Sequence, residues 1–251
     1  MVSPQHRLVF DCGAPLMESV SVRKVFVTHG HVDHTMSMVF HASTRGLMGM
    51  SPSKFYVPWF LQAGFRTFLD AASALNEGGV SYELVPVDVG ERVEVSDKRH
   101  VVPFRTDHRL LGYGYKVYET RHKLKPEYQG LPGTELGRLR TEEGVQLSDP
   151  VETLALTYVG DSRVTVLDKH PEVFQSEVLV MEATFVGDYP LVETHERGHT
   201  HLSELAERAD LFKNVKTLVL THFSLRHSDK EVKEEVAKLP ESLRERVQLV
   251  F

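Results

Sequence analysis

Lys24-Val25-Phe26-Val27-Thr28-His29-Gly30-His31-Val32-Asp33-His34 is the stretch that decides the fold. A run of β-forming apolar residues leads directly into three imidazoles and a carboxylate within six positions. Two histidines at i and i+2 on a tight loop can point at one cation, while Asp33 and His34 project to the other side, towards a second. Burying this set without a cation is costly, because each polar group would lose its hydration. Neutral imidazoles with one carboxylate suit zinc best among the common divalent ions, although the donor types alone also admit Mn2+ or Fe2+. One such loop carries too few donors for two ions, so further histidines and a bridging acid are expected elsewhere.

Three other strand ends supply them. His108 follows the run Val101–Phe104, Asp161 follows Leu154–Tyr158, and His222 follows Leu218–Leu220. In α/β sheets functional groups gather at the carboxyl ends of strands, so the four sets can meet in one crevice. The donor count then closes, with His29, His31 and His108 on one ion, Asp33, His34 and His222 on the other, and Asp161 between them. Two such ions can lower the pKa of a water and hold a phosphodiester for in-line attack. A lone histidine after a strand is more often a hydrogen-bonded or surface residue, so His108 and His222 gain weight only from the first cluster. Asp107 is the expected impostor, a cap or ion-pair partner.

Around these ends the chain alternates short β-like runs with turn signals: Leu8–Asp11, Val25–Thr28, Phe55–Pro58, Tyr82–Val87, Arg92–Val95, Val101–Phe104, Tyr113–Tyr118, Leu154–Val159, Val178–Met181, Thr217–Thr221 and Val247–Phe251. Helical spacing marks Trp59–Leu75, Leu202–Phe212 and Lys230–Leu239. This pattern predicts a layered α/β protein with mixed sheets rather than a regular βαβ array. Lys123–Asp149 differs, being rich in Gly and Pro and poor in apolar residues, and reads as a long excursion from the core, an extended arm.

Composition bounds the rest. With 251 residues, 41% hydrophobic and 25% charged, the chain fits one ordinary globular domain over 1–251. No apolar stretch approaches the ~18 residues of a membrane span, and no secretory leader is visible at Met1–Arg7. The single cysteine, Cys12, excludes an intrachain disulfide and points to the cytoplasm. A net charge of −6 argues against coating nucleic acid by bulk charge while leaving room for a local basic grip. Fourteen histidines are many for this length, an excess that needs an explanation.

The His-Gly-His-Val-Asp-His motif resembles the signature of the metallo-β-lactamase-fold hydrolases. Other segments resemble the ribonuclease Z branch in its short, plant-like form: Ala42–Leu47, Lys123–Gly133, Tyr158–Ser162, Met181–Phe185 (M-E-A-T-F), Gly198–Ser203 (G-H-T-H-L-S) and Leu220–Ser224. The likeness runs from about Leu8 to Arg226. It implies a four-layer αββα sandwich of two mixed sheets, two Zn2+ per subunit, a homodimer, and endonucleolytic removal of the 3′ trailer from precursor tRNA. It also implies that Glu182 and His199 form a catalytic pair, His199 protonating the departing 3′ oxygen while Glu182 orients its ring, and that Asp33 helps position the attacking hydroxide. An alkoxide leaving group does benefit from a general acid held by a carboxylate. His201 is the rival acid; its other reading is a helix start. Two departures stand out. Only seven residues precede Leu8, so the family's first hairpin is missing or abbreviated, and Met181 stands where relatives often carry His.

The insertion at about 121–150 corresponds to the arm that grips the tRNA elbow in relatives. Arg121, Lys123, Lys125, Arg138 and Arg140 give it a positive bias against Glu119, Glu127 and Glu135, which would steer RNA in a salt-sensitive way. The bland alternative is a solvated loop with balanced charges. Ser224 and Arg226, just after His222, are candidates to hold a phosphate oxygen, unless Arg226 pairs with an acid instead. The same centre also suits a small phosphodiester, such as the cyclic nucleotides hydrolysed by the anti-Pycsar enzymes that resemble ribonuclease Z. The branch-specific segments argue against β-lactam hydrolysis, and a metal-binding protein without catalysis would not need the Glu182/His199 pair.

Overall fold

The computed structural model describes residues 1–251 as two sheets packed face to face. The first holds β1 (Val2–Ser3), β2 (Leu8–Phe10), β3 (Lys24–Phe26), β4 (Ser53–Pro58) and β5 (Tyr82–Val87), side by side in that order. The second holds β6 (Val93–Ser96), β7 (Arg99–Arg105), β8 (Tyr113–Leu124), β9 (Ser148–Tyr158), β10 (Val178–Glu182), β11 (Thr217–Thr221) and β12 (Val247–Leu249), ordered from β12 across to β6. β2 to β5 run parallel, as do β9 to β12, whereas β6 to β9 pair antiparallel. With β1 antiparallel to β2, both sheets are mixed.

Three apolar layers hold the sandwich. Leu8, Phe10, Phe26 and Tyr56 of the first sheet meet Val101, Tyr113, Tyr115 and Val117 of the second. On the outer face of the first sheet, Val25, Val27 and Phe55 pack on Met38 and Ala42 of the helix Met38–Leu47 and on Phe65 and Leu69 of the helix Gln62–Ala74. Outside the second sheet, Leu179, Leu218 and Leu220 are covered by Leu167, Leu205, Phe212, Val232 and Leu243. Strands buried on both faces read as unbroken apolar runs, which is why β3, β10 and β11 stand out in the sequence. The result is the αββα layering expected. No helix is long and apolar enough to cross a membrane.

All eleven β-like runs become strands. The twelfth, β1, pairs antiparallel with β2 (Val2 opposite Val9), a short hairpin that no apolar run marks. The excursion expected at Lys123–Asp149 is an arm, with short helical elements at its end. β8 and β9 continue as a paired ribbon out to Leu124 opposite Ser148, and its end carries the helical turn Pro126–Tyr128 and the helix Gly133–Thr141. A ribbon without a core beneath it shows no apolar alternation, so hydropathy misses it while the backbone ladder still forms.

Candidate active site

The carboxyl ends of β2, β3, β7, β9, β10 and β11 converge at one edge of the sandwich, where the chemistry-bearing side chains collect. His29, His31, His108 and Asp161 form one group of donor atoms lying within 4.8 Å of one another; Asp33, His34 and His222 form a second group on the same criterion. Asp161 joins them, with Oδ2 3.8 Å from His29 Nε2 and 3.4 Å from His222 Nε2, and Oδ1 3.3 Å from His34 Nε2. Asp33 Oδ2 lies 3.5 Å from both His34 Nε2 and His222 Nε2. Every residue of the expected ligand set is thus brought together.

The outer partners fix which nitrogen faces inward. His108 Nδ1 donates to the Gly198 carbonyl at 2.8 Å, and His34 Nδ1 donates to Asp11 Oδ2 at 2.8 Å. His29 Nδ1 sits 2.9 Å from Thr28 Oγ1, whose hydroxyl donates to Asp11; His222 Nδ1 sits 2.9 Å from Thr184 Oγ1. With Nδ1 engaged, the Nε2 lone pair points to the shared centre, the arrangement by which outer groups orient metal-binding imidazoles. His31 differs, turning Nδ1 inward to 2.8 Å from His29 Nε2.

These residues fit divalent cations. His34 Nε2 and His108 Nε2 are buried without any hydrogen-bond partner, which a purely hydrogen-bonded polar cluster would not leave. Charge balance agrees. Burial, reinforced by His34, lowers His29 to about 4, and burial also lowers His31 and His108. At His34 burial opposes the charge, yet Asp11, Asp161 and Asp33 outweigh it and push the pKa up to about 12. Burial likewise opposes charge on His222, but Asp33, then Asp161 and Glu182, raise it to about 8. The neighbouring His222 and His34 rings hold Asp33 well below the usual carboxylate range; Asp161 is held low by His34 and His222 against its burial.

Beside this cluster Glu182, 1% exposed, gathers several donors: Ser162 N at 2.7 Å, Thr200 N at 3.1 Å, His199 Nδ1 at 2.8 Å, and the Thr184 hydroxyl. His199 therefore turns Nε2 away from Glu182, with its ring 5.5 Å from that of His222. His201 is elsewhere. It is the N-cap of the helix Leu202–Glu207, its Nδ1 accepting from Ser203 N at 3.2 Å. Asp107 is ion-paired to Arg163 at 3.1 Å and Lys169 at 2.8 Å, as an impostor should be.

Local backbone serves the site. Gly198 has φ 84°, and a Cβ there would lie 3.0 Å from His108 Nδ1, so only glycine brings its carbonyl onto that ring. Asp11 and His222 adopt left-handed φ of 55° and 60°, strain of the kind stored at functional positions. Sequence reasoning passed over Asp11, Thr28 and Thr184. The first had a signal, an acid ending the run Leu8–Phe10, but the two threonines had none. A cavity of about 170 Å³ reaches from Asp33, His34, Asp161 and Glu182 back to Met1, Cys12 and Leu16. Burial pushes the Cys12 thiol up to about 12, leaving it inert.

Of the remaining candidates, Arg226 is exposed and forms no ion pair, and Ser224 follows the strand end by a hydrogen bond from its N to the Thr184 carbonyl. In the arm, Arg121 is paired with Glu119 and Glu177, Arg138 with Glu135 and Glu143, and Lys125 lies 3.8 Å from Asp149. Lys123 and Arg140 have no acidic partner.

Two sheets back to back between helices, with a histidine–aspartate cluster at the strand ends, define a metal-dependent hydrolase of the metallo-β-lactamase type. The beta-lactamase superfamily domain matches residues 2–223. The tRNase Z TRZ1 of Arabidopsis thaliana is 34% identical over 250 residues, covering 98% of this chain and 89% of that protein. The chloroplastic tRNase Z TRZ2 of the same plant is 30% identical over 242 residues, covering 95% and 68%. Human tRNase Z, short form, superposes with a TM-score of 0.62 at 22% identity over 97% of this chain and 85% of that one, a likeness of fold. The chain belongs to the tRNase Z family of the beta-lactamase superfamily.

Proposed function

We propose that this enzyme is a tRNA 3′-processing endonuclease with two zinc ions per subunit. The observation that carries the reading is the 2.8 Å contact between His199 Nδ1 and Glu182 Oε1 beside the donor cluster, in a chain 34% identical to a protein named tRNase Z. When bound, two divalent cations supply the lowered pKa of an attacking water and charge neutralisation of the phosphodiester. His29, His31 and His108 would hold one ion and Asp33, His34 and His222 the other, with Asp161 serving both. Asp33 accepts a hydrogen bond from the water and aims it. His199 keeps its proton at Nε2 for the leaving 3′ oxygen, while Glu182 fixes the ring. Arg226 and Ser224 border the site as phosphate contacts, and the arm, in a homodimer, grips the tRNA body.

One observation favours a second reading, hydrolysis of a small cyclic phosphodiester. Three of the five arm cations are already paired, which weakens the arm as an RNA grip. The test is cleavage by zinc-loaded protein of precursor tRNA beside 3′,5′-cyclic nucleotides, with Asp33→Ala as blank. Cutting at the trailer junction, lost when residues 123–149 are shortened, supports tRNA processing. Cyclic-nucleotide turnover with precursor tRNA left intact overturns it in favour of the second reading.

A further inference from the structure

The end of the sandwich opposite the donor cluster has its own chemistry. There β2, β3 and β4 begin, and the register sets Leu8 beside Lys24 and Lys24 beside Lys54. Arg7 and Arg23 immediately precede the first two of these strands. Lys24 lies on the same face as Phe26, which is in the layer between the sheets, so its ammonium enters the open mouth of that layer and meets the Val95 carbonyl of β6. Arg99, the first residue of β7, closes the mouth from the second sheet.

The resulting cleft, about 350 Å³, is lined by His6, Arg7, Arg23, Lys24, Ser96 and Arg99 together with two valines, and by no acidic residue. Glu83 and Glu119 balance Arg23 and Arg99 from outside. Arg7 and Lys24 have no acidic partner. Glu83 also meets Lys54 at 3.6 Å, so among the neighbouring lysines it is Lys24, turned into the mouth, that is left without a carboxylate. Burial, with Lys54, Arg23 and Arg7, lowers the Lys24 pKa, which reports the same crowding of cations. Arg7 is also the third of the three non-glycine residues with positive φ, at 55°, the other two being Asp11 and His222 of the metal cluster. Strain persists where surrounding structure holds it for a function.

We propose that this inter-sheet mouth is a second phosphate-binding site, remote from the metal cluster, in which Arg7, Lys24 and Arg99 hold the phosphate groups of a nucleotide or of an RNA backbone. The Ser96 hydroxyl and His6 complete the donors. The arm leaves the sheet from the same end, since β8 passes Glu119, the partner of Arg99, on its way out to Leu124. An RNA held by the arm therefore runs close to the mouth.

The test uses metal-loaded enzyme and ADP as probe, by titration calorimetry, comparing the wild type with Arg7→Gln and with Arg7→Gln/Lys24→Gln. Turnover of bis(p-nitrophenyl) phosphate, unchanged in both variants, certifies fold and metal cluster. Arg7 is exposed, so its single variant keeps the test decisive if the double variant folds poorly. The single variant is expected to weaken one class of ADP site at least about tenfold, the scale of one charge-assisted hydrogen bond. Precursor-tRNA affinity measured against salt then separates the sources. A salt slope smaller by about one per lost contact assigns the mouth to RNA phosphates, and an unchanged slope with lost ADP binding assigns it to free nucleotides. ADP titrations identical in wild type and both variants would overturn the site.

Discussion

The two halves of the donor cluster are built from the same kind of residue and prepared in opposite ways. Around His29, His31 and His108 burial dominates, and the imidazoles are neutral near pH 7, ready to donate. Around His34 and His222 the carboxylates Asp11, Asp33 and Asp161 dominate, and without a cation the same ring type takes up protons. The lesson is that residue identity does not set ligand character; the count of nearby carboxylates does. The first half is prepaid for a cation by desolvation. The second holds excess negative charge that protons or a metal must neutralise.

The hardest blow to this picture is Asp161→Ala. Because Asp161 touches both halves, essentially all activity and both ions should be lost together, by metal analysis after dialysis. Retention of two ions would dissolve the distinction between a bridge and a neighbour. His199→Ala comes next, with a loss of about 10²–10⁴ in kcat, the worth of a positioned general acid. Metal content should be unchanged in either half. A drop in metal would recast His199 as a structural donor, consistent with its closeness to Asp161 and His222.

A smaller effect sharpens the contrast. Thr184→Val removes the hydroxyl that meets His222 Nδ1 and Glu182, and should weaken one ion about 10–100-fold, as outer partners typically do. Thr184→Ser should restore it. A chelator competition in which both ions weaken equally would show that the halves are not independent. Smallest in size is the proton count. At pH 7 the second half carries protons on His34 (about 12) and His222 (about 8), so filling it releases about two protons and the first half about none. Because binding displaces protons, affinity of the second half rises with pH, and the rise becomes shallower above about pH 8, where His222 is neutral and the release falls to about one. Calorimetry in buffers of different ionisation enthalpy reads this number, and equal release from both halves would contradict the scheme.

How much of this was legible beforehand follows from where the information lies. The His29–His34 loop, His108, Asp161 and His222 end strands whose apolar runs mark them, so the fold and the meeting of these side chains could be read. The helix Met38–Leu47 could not, since its buried face carries His41 and Arg45. Their donors are satisfied by carbonyls of Ser19 and Val22 and of Val20 and Ser51, partners far from helical spacing. Some of the histidine surplus therefore belongs to packing. Thr28 and Thr184 were invisible for the same reason, because a threonine's role as a second contact exists only after β3 and β10 are set beside their neighbours. The arm is legible from its glycines and prolines, but the helix Gly133–Thr141 is not, because none of its residues is buried and it leaves no apolar trace.

The Gly198 carbonyl that pins His108 belongs to the residue just before His199. One short turn thus holds a metal donor by its backbone and the proposed proton donor by its next side chain. A side chain at position 198 would displace both at once, so Gly198→Ala should lose metal at His108 and turnover in step, whereas a change at either histidine alone moves only one of the two.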